Sequence, residues 1–307
     1  MKDYLLSIVI PTYNRVEFLI ANIQSFVQEP EFSQIQFIIS DNASVDDTKE
    51  QILSFVSLYS NIKYHQNEKN LGLEANTKIA IELADGEFIK TINDYTLINK
   101  HKLARLLSFI NENRKEKPAL FFLNKKINKL DTELTFSNLD EFVAKISYDS
   151  TWLSTFGIWK VDYEQIKDKG VHYGLLFYHT SILFRLISTK RKTIVLAEEI
   201  FSVREVSNKG GYHILVFIEN YLNLILKDCL DAKMITRETF KTEKKRLLKF
   251  IYPYIVGTNI KKKYSFSNEG LYRTLFENYK KDIYFYYYAT KYAVTYGVWF
   301  LLKPIMS

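Results

Sequence analysis

Ser-Ile-Val-Ile-Pro-Thr-Tyr-Asn-Arg, residues 7–15, is the stretch that decides the fold of this chain. Its Ile-Val-Ile run is typical of a buried parallel strand, and Pro11 predicts the end of that strand. Apolar side chains then recur at helical spacing over residues 16–27. A buried strand followed at once by an amphipathic helix predicts the first half of a βαβ unit.

The same alternation of strand and helix continues through the first third of the chain. Further strands are predicted at residues 36–39, 61–65, 87–92 and 119–123, and helices at 46–55, 73–83 and 99–113. Repeated β-α-β segments with short connections predict an α/β fold, a Rossmann-like and mostly parallel sheet with flanking helices. Ligands of such sheets bind beyond the carboxyl ends of the strands, so the functional site is sought there.

The pattern weakens after residue 123 and changes character after Gly210-Gly211. A helix is predicted at 138–146, a strand at 155–160, a long apolar helix at 173–187 and a strand at 192–203; three helices rich in Tyr, Phe and Lys are predicted at 212–232, 236–252 and 268–302. We therefore predict an N-terminal domain, residues 1–207, and a C-terminal α-helical region, residues 208–307.

The composition bounds the possible partners and compartment. The net charge of +7 predicts a polyanionic partner, such as nucleotide phosphates, anionic lipid or nucleic acid. The single Cys229 excludes an internal disulfide and fits a reducing cytoplasm. The apolar run at residues 5–10 is too short for a signal peptide, and no stretch before the last 25 residues has the character of a membrane span.

Four pieces of the N-terminal sequence occur together, in order and at matching spacing. They are residues 7–15, Ser-Asp-Asn-Ala-Ser-Val-Asp-Asp-Thr at 40–48, Asn-Leu-Gly at 70–72, and residues 85–94 with Asp-Gly-Glu-Phe and Asn-Asp. Together they resemble the family 2 glycosyltransferases, and most closely the bacterial surface-polysaccharide branch that includes abequosyltransferase-like enzymes. The resemblance spans residues 5–100, weakens towards 205 and is absent beyond.

The resemblance implies a GT-A fold, with a nucleotide-sugar-binding half at residues 1–100 and an acceptor half at 101–207. It implies an inverting, metal-assisted transfer of a sugar from a nucleotide-diphosphate donor, with UDP the expected nucleotide. The acceptor would be a glycan or a polyprenyl-linked molecule in cell-surface polysaccharide or capsule synthesis. The residues that it places around the donor are Pro11, Thr12, Tyr13, Asn14, Arg15, Asp41, Asn42, Ser44, Lys69, Asn70, Gly72 and Asn93.

Two of these donor-binding loops allow a plainer interpretation. By resemblance, the carboxylate of Asp41 accepts the imide N–H of the base; alternatively, Asp41 and Ser44 only cap the following helix. Gly72, before a predicted helix, would let backbone N–H groups approach the diphosphate while Lys69 adds positive charge. The alternative for Gly72 is an ordinary loop glycine.

Asn93-Asp94 occupies the place of the acidic metal-binding motif of the family. Asp94 is the predicted ligand of Mg²⁺ or Mn²⁺ and thereby a catalytic residue, while Asn93 offers only a neutral oxygen. Asp94 as a simple turn residue is the alternative.

The resemblance implies that the catalytic base is an acid near the start of a helix in the second half, but residues 173–180 contain no acid. His179 is the candidate there. A satisfied core histidine is the alternative. Asp162, Glu164 and His172 are the other candidates for the base.

The C-terminal region combines basic and aromatic residues. Lys-Lys-Lys-Tyr stands at 261–264, and the segment 279–302 holds the aromatic run 284–288 with Lys280, Lys281 and Lys291. This combination is typical of a membrane–water interface and predicts peripheral docking on the inner face of the cytoplasmic membrane. Packing of these helices as plain core is the alternative, whereas Lys291 argues against a spanning helix.

Three classes of function are compatible with these observations. The first is an active glycosyltransferase. The second is a degenerate GT-A domain that binds a nucleotide-sugar or a partner without catalysis, which the reduced acidic motif favours. The third is a nucleic-acid-binding protein that uses its basic C-terminal helices. Because the basic residues alternate with aromatics typical of membrane interfaces, the first class is favoured and no nucleic-acid partner is expected.

Overall fold

The computed structural model describes residues 4–125, 132–190, 192–204, 213–259, 267 and 269–296. The strands are β1 Leu6–Thr12, β2 Gln36–Asp41, β3 Ile62–Gln66, β4 Phe88–Thr91, β5 Thr96–Ile98, β6 Ala119–Phe122, β7 Glu133–Phe136, β8 Gly157–Trp159, β9 Thr193–Leu196 and β10 Phe201–Val203. The α-helices are α1 Val16–Val27, α2 Thr48–Leu58, α3 Leu73–Glu82, α4 Leu103–Glu112, α5 Leu139–Ile146, α6 Lys160–Gln165, α7 Tyr178–Thr189, α8 Lys227–Asp231, α9 Arg237–Asn259, α10 Leu271–Tyr279 and α11 Ile283–Tyr296.

The central sheet has the strand order β3-β2-β1-β4-β8. Its first three pairings are parallel, and only β8 runs antiparallel, along β4. Pro11 does not end β1 as predicted, because β1 continues to Thr12 in register with β2. Beyond Val9 the strand pairs only with β2, so the missing N–H of the proline is tolerated there. The predicted mostly parallel α/β sheet is confirmed.

The sheet brings the carboxyl ends of β1, β2, β3 and β4 to one edge. The antiparallel β8 carries the chain to the opposite edge, where the Lys160 N–H donates to the Glu87 carbonyl over 2.8 Å. Interlocking aromatic rings fill the core beneath, with Phe26 edge-on to Phe37 at 5.0 Å and Phe88 edge-on to Trp159 at 4.9 Å between ring centroids. Phe37 and Phe88 lie near the amino ends of β2 and β4, so these rings pack the core at the edge opposite the candidate site.

Several predicted element boundaries were wrong. The single strand predicted at 192–203 is two strands in different sheets, because β9 lies between β6 and β7 whereas β10 pairs with β5. The helix predicted from residue 173 begins at Tyr178, and the helix predicted from residue 99 begins at Leu103. In the first case no Gly or Pro separates the two strands, although Glu198 and Glu199 stand between them, and in the second Gly174 was a breaking signal that the apolar spacing outweighed.

The chain divides into two compact units, one of residues 1–142 and 149–205 and one of residues 143–148 and 206–307. The second unit contains a π-helix, Phe217–Leu226, that runs into α8, and then α9, α10 and α11. The single helix predicted at 268–302 was wrong, because the chain turns at residues 280–282 between α10 and α11. The predicted boundary at 207–211, the basic stretch 261–264 and the end of the predicted helix beyond 296 lie outside the described residues.

The described part of the chain contains no helix with both the length and the apolarity that a membrane span requires.

Candidate functional site

The loops that follow β1 and β2 are joined by reciprocal hydrogen bonds. The Asn14 N–H donates to Ser44 Oγ over 2.9 Å, and the Val45 N–H donates to Asn14 Oδ1 over 2.8 Å. Asp46 accepts the N–H of Val16, the first residue of α1, over 3.2 Å. Asn14 itself has a left-handed backbone, φ 51°, which asparagine tolerates better than most residues. The structure thus brings these two predicted donor loops together.

Asp41 lies beneath this junction with no exposed surface. Its Oδ1 accepts the Ser44 N–H over 2.9 Å, and its Oδ2 accepts the Tyr64 hydroxyl over 2.6 Å and Gln66 Nε2 over 3.2 Å. Burial and the hydrogen bond to Asp41 raise the pKa of Tyr64 well above its usual range. Asp41 therefore fixes the loop after β2, whereas the N–H of Thr48 at the start of α2 donates to Asp46 Oδ1 over 3.2 Å, so the capping alternative is not what is seen. The contact of Asp41 with the base stays a prediction.

A network of buried amides holds the third loop, residues 67–72, onto the same edge. Asn67 Nδ2 donates to the Oδ1 atoms of Asn42 and Asn76, each over 3.0 Å, and Asn42 Nδ2 donates to Asn70 Oδ1 over 2.7 Å. Asn76, the most central member, also donates to the Ser40 carbonyl over 2.7 Å. The sequence predicted a role for Asn42 and Asn70 but not for Asn76, which reaches this edge only because α3 packs on the sheet.

Gly72 directly precedes α3 and has φ 84°, a conformation that side-chain-bearing residues seldom adopt. A Cβ on Gly72 would meet no atom within 4 Å, so the backbone conformation and not crowding requires glycine here. The Gly72 N–H donates to Asn70 Oδ1 over 2.9 Å. Open space in front of a helix start, with the exposed Lys69 beside it, is compatible with the predicted diphosphate site.

Asp94 follows β4 and faces the end of β1. Its Oδ2 accepts the Thr12 hydroxyl over 3.0 Å, and its Oδ1 accepts Arg15 Nη1 over 3.3 Å. Burial raises the pKa of the Asp94 carboxyl, and the charge of Arg15 and these hydrogen bonds oppose that rise. The guanidinium carbon of Arg15 also lies 5.8 Å from the Tyr95 ring centroid. Asp94, Thr12 and Arg15, which the sequence analysis placed around the donor, are therefore in direct contact.

The donor atoms around Asp94 fit a divalent cation poorly. Both oxygens of this carboxylate already hold Thr12 and Arg15. Asn93 directs its backbone N–H and its Nδ2 to Ser154 Oγ, each over 2.9 Å. Within the described segments no three His, Cys, Asp or Glu side chains are grouped as metal ligands would be. An ion at Asp94 would therefore have to share this buried carboxylate with the Arg15 guanidinium.

Lys90, for which the sequence predicted no role, joins the end of β4, just before the Asn93-Asp94 turn, to residues 154–156. It is fully buried, and its ammonium donates to the carbonyls of Thr91, over 2.9 Å, of Phe156, over 3.2 Å, and of Ser154. Burial lowers the pKa of Lys90 well below its usual range. Three acceptors match the three donors of an ammonium group and fix the turn that presents Ser154 to Asn93. A lysine inside the apolar strand β4 was the available signal.

His179 lies in the first turn of α7 but faces the interior. Its Nε2 is 2.9 Å from the Thr151 carbonyl oxygen, its ring meets Phe156 edge-on, and it is 6 % exposed. Burial lowers the pKa of His179 to about 4, so the ring is neutral near pH 7. The predicted role as catalytic base is therefore not favoured, and the arrangement corresponds to the alternative of a satisfied core histidine.

Two of the remaining candidates for the base lie at the opposite edge of the sheet from Asp94. Asp162 and Glu164 belong to α6, which follows β8 at the opposite edge of the sheet, and Asp162 pairs with Lys190 over 2.8 Å. The antiparallel direction of β8, which the sequence did not reveal, removes both acids from the site. His172 Nδ1 lies 2.9 Å from Ser181 Oγ.

An acid nevertheless reaches the start of α7 from another element. Glu74, in the first turn of α3, accepts the N–H of Gly174 over 2.5 Å and the N–H of Tyr178 over 2.9 Å. Burial raises the pKa of Glu74, while these backbone bonds act in the opposite direction. The carboxylate caps α7 and fixes the loop before it. Because 104 residues separate Glu74 from Tyr178, no local pattern could have revealed this contact.

Comparison with known proteins connects this geometry to a family. Residues 7–158 match the family described as Glycosyl transferase family 2. The chain is 35 % identical over 108 residues to the abequosyltransferase RfbV of Salmonella typhimurium, a match that covers 34 % of this chain and 32 % of the relative. It is 32 % identical over 108 residues to a GalNAc(5)-diNAcBac-PP-undecaprenol β-1,3-glucosyltransferase of Campylobacter jejuni, covering 35 % of each chain.

The chain thus spans about a third of the length of these curated relatives. Among solved structures, it resembles S. aureus TarS 1-349 in complex with UDP-GlcNAc. The TM-score is 0.58 at 16 % identity, and the match covers 88 % of this chain and 78 % of that one. This structural likeness supports the fold, whereas the sequence matches confirm the predicted resemblance.

Proposed function

Because residues 7–158 form a domain of glycosyl transferase family 2 with a GT-A fold, we propose that the chain transfers a sugar from a nucleotide-diphosphate donor to a lipid-linked or polysaccharide acceptor. The observation that carries this proposal is the convergence of the loops after β1, β2, β3 and β4 on one sheet edge. There Thr12, Arg15 and Asp94 lie in contact, and the asparagine network fixes the adjoining loops. This is the edge at which open α/β sheets bind nucleotides.

UDP is our expected nucleotide and inversion our expected stereochemistry. Support for UDP comes from the structural likeness to a UDP-GlcNAc complex. Support for a polyprenyl-linked acceptor comes from the relative that is named for GalNAc(5)-diNAcBac-PP-undecaprenol. Within this chain, the metal assistance expected from the resemblance rests on Asp94, whose two carboxylate oxygens already accept hydrogen bonds from Thr12 and Arg15.

Titration with UDP, GDP, CDP and TDP, followed by hydrolysis of the matching nucleotide-sugars, tests the proposed function. We expect one nucleotide, UDP, to bind at least tenfold more tightly than the others and its sugar to be slowly hydrolysed. Binding without any turnover, with acceptor lipid present, would favour the degenerate nucleotide-sugar-binding alternative. Failure of all four nucleotides to bind the folded protein would contradict the proposal.

We also propose that the C-terminal unit docks on the inner face of the cytoplasmic membrane through one face of α11. On this face Ile283 is 86 %, Tyr287 61 % and Val294 67 % exposed. Helical geometry places the three within about 40° of one another around the helix axis. Exposed lysines at positions 280, 281 and 291 accompany them. Exposed apolar side chains beside lysines suit an anionic lipid surface.

The opposite side of α11 supports the core-packing alternative for the remaining aromatic residues. Tyr252 on α9 stacks on Tyr292 at 5.0 Å between ring centroids. The ammonium of Lys249 lies 5.8 Å from the Tyr288 ring centroid in the same interface. The aromatic and basic residues are thus divided between an internal face and a solvent-exposed face, and docking is proposed for the exposed face alone.

Replacement of Ile283, Tyr287 and Val294 together by serine is expected to weaken binding to phosphatidylglycerol vesicles at least about 30-fold. Each side chain would otherwise contribute about 1 kcal/mol or more by burial in the interface. Co-sedimentation with vesicles of graded anionic content measures the effect. The matched control replaces the exposed Val45, Leu58 and Leu53 of the N-terminal unit by serine and should leave binding unchanged. Equal binding of both triple variants and the wild type would exclude this face.

A further inference from the structure

We propose that Arg15, and not a divalent cation, neutralises the donor diphosphate, so that this glycosyltransferase works without a bound metal. The inference rests on the proposed function and concerns the same site. Its starting point is the ion pair between Arg15 Nη1 and Asp94 Oδ1, at 3.3 Å, which occupies the one carboxylate that the acidic motif retains.

Arg15 is held in place by several independent contacts. Its partner Asp94 is 3 % exposed, and the second carboxylate oxygen of Asp94 accepts a hydrogen bond from the Thr12 hydroxyl. The Tyr95 ring lies alongside the guanidinium at 5.8 Å. The backbone carbonyl of Arg15 accepts the N–H groups of Phe18 and Leu19, which fixes the residue at the start of α1. The guanidinium is therefore preorganised and does not need to be recruited when the donor arrives.

The Arg15 guanidinium also has N–H donors that Asp94 does not use. Its side chain is 33 % exposed, and within the described part of the chain it donates a hydrogen bond to Asp94 alone. Arginine carries five N–H donors in a planar fork that matches phosphate oxygens in pairs. The amino-terminal end of α1, which begins immediately after Arg15, adds partial positive charge at the same point. One face of Arg15 can thus remain on Asp94 while another meets a phosphate.

A divalent ion and Arg15 would compete for Asp94. Two cations on one buried carboxylate repel each other strongly in a site of low dielectric constant. The neighbouring Asn93 adds no negative charge, and it donates to Ser154 instead of offering a charged ligand. The motif thus has one acid where the family has two or three, and that acid is already paired with Arg15. Both observations indicate that the positive charge of the guanidinium takes the place of the charge of a metal ion.

In the transfer step the acceptor hydroxyl oxygen attacks C1 of the donor sugar as the bond from C1 to the diphosphate oxygen breaks. The bonding electron pair stays on that oxygen, and the hydroxyl proton passes to a base or to water. The nucleoside diphosphate therefore leaves with one additional negative charge. A fixed guanidinium at the diphosphate stabilises this charge in the transition state more than in the bound donor.

Calorimetric titration with UDP, in Mn²⁺ or in EDTA, tests the inference on the full chain. The wild type should bind UDP with affinities that differ less than about threefold between the two buffers. Arg15→Gln should lose about 100-fold in donor turnover, the usual size of effect for removing one preorganised donor. Arg15→Lys, which keeps the charge but not the fork, should lose less than Arg15→Gln. Arg114→Gln, an exposed arginine paired with Glu87 at the opposite edge, is the matched control and should behave as wild type.

The outcomes separate this inference from the proposed function. More than tenfold tighter UDP binding or faster turnover of the wild type in Mn²⁺ than in EDTA would overturn it. So would full activity of a folded Arg15→Gln in EDTA. Activity of Arg15→Gln that returns only with Mn²⁺ would support it, because it would show that the ion and the guanidinium exclude each other at Asp94. Absence of UDP binding by the wild type in either buffer would instead refute the proposed function.

Discussion

Replacing Asn76 by aspartate is expected to lower the free energy of unfolding by about 3 kcal/mol at pH 7. The amide is 2 % exposed, and its Nδ2 donates to the Ser40 carbonyl over 2.7 Å. An aspartate of the same shape puts a negatively charged oxygen against that carbonyl oxygen and removes the donated bond. The bonds that Asn76 Oδ1 accepts from Ser40 Oγ and Asn67 would survive, so the loss arises from the donor side alone.

Urea denaturation at pH 7 measures this loss. Asn111→Asp, on the exposed face of α4, makes the same chemical change at the surface and should shift stability by less than about 0.5 kcal/mol. Since the amide network also holds the loop at 67–72, UDP binding should weaken in Asn76→Asp but not in the control. A loss of stability below about 1 kcal/mol would show that the network relaxes around the charge.

The second large effect is a pH-dependent stability carried by His179. Burial lowers the pKa of the folded-state imidazole from 6.5 to about 4. The unfolded chain therefore binds a proton between these pH values that the folded chain does not. Stability from this group is complete above pH 6.5 and is lost as the pH falls towards 4, by about 3 kcal/mol in all.

Urea denaturation of the wild type and of His179→Gln between pH 7.5 and pH 4 isolates this contribution. Glutamine can still donate to the Thr151 carbonyl but does not titrate, and the acidic residues are common to both proteins. Between pH 7.5 and pH 4, the wild type should therefore lose about 3 kcal/mol more of its unfolding free energy than His179→Gln loses. Parallel curves would contradict the buried, neutral histidine, as would an activity loss in His179→Gln that titrates near pH 6.5.

The fold was predictable from the sequence in the N-terminal part of the chain, where the alternation of strands and helices along the chain by itself requires a parallel sheet. The run at 7–15 and the alternation after it indicated a parallel sheet, and the rule that ligands bind at carboxyl ends placed Thr12, Asn42 and Asp94 at one edge. Strand β5, only three residues long, was missed because so short a segment has no period to detect. Strands β9 and β10 were predicted as one strand because no Gly or Pro stands between them, and the two acids Glu198 and Glu199 were not recognised as the break.

The roles of individual side chains were less predictable because they depend on burial and on distant partners. Asp41 and His179 are the residue types that the expected chemistry needs, yet both point into the protein and satisfy backbone or side-chain groups there. Lys90 and Ser154 stand 64 residues apart and meet only in the folded chain. Spacing in sequence identifies which loops converge, whereas the direction of a side chain within a loop is decided by packing.

Glu74 has a consequence for the construction of hybrid enzymes. Helix α3, which begins at Leu73, belongs to the predicted donor half, yet its Glu74 carboxylate caps α7 and fixes Gly174 in the predicted acceptor half. A chimera joined near residue 100 would combine one relative's α3 with another relative's α7 and leave that capping contact to chance. Exchange of acceptor segments between such transferases should therefore transplant Glu74 together with residues 174–178, as a single unit that is discontinuous in sequence.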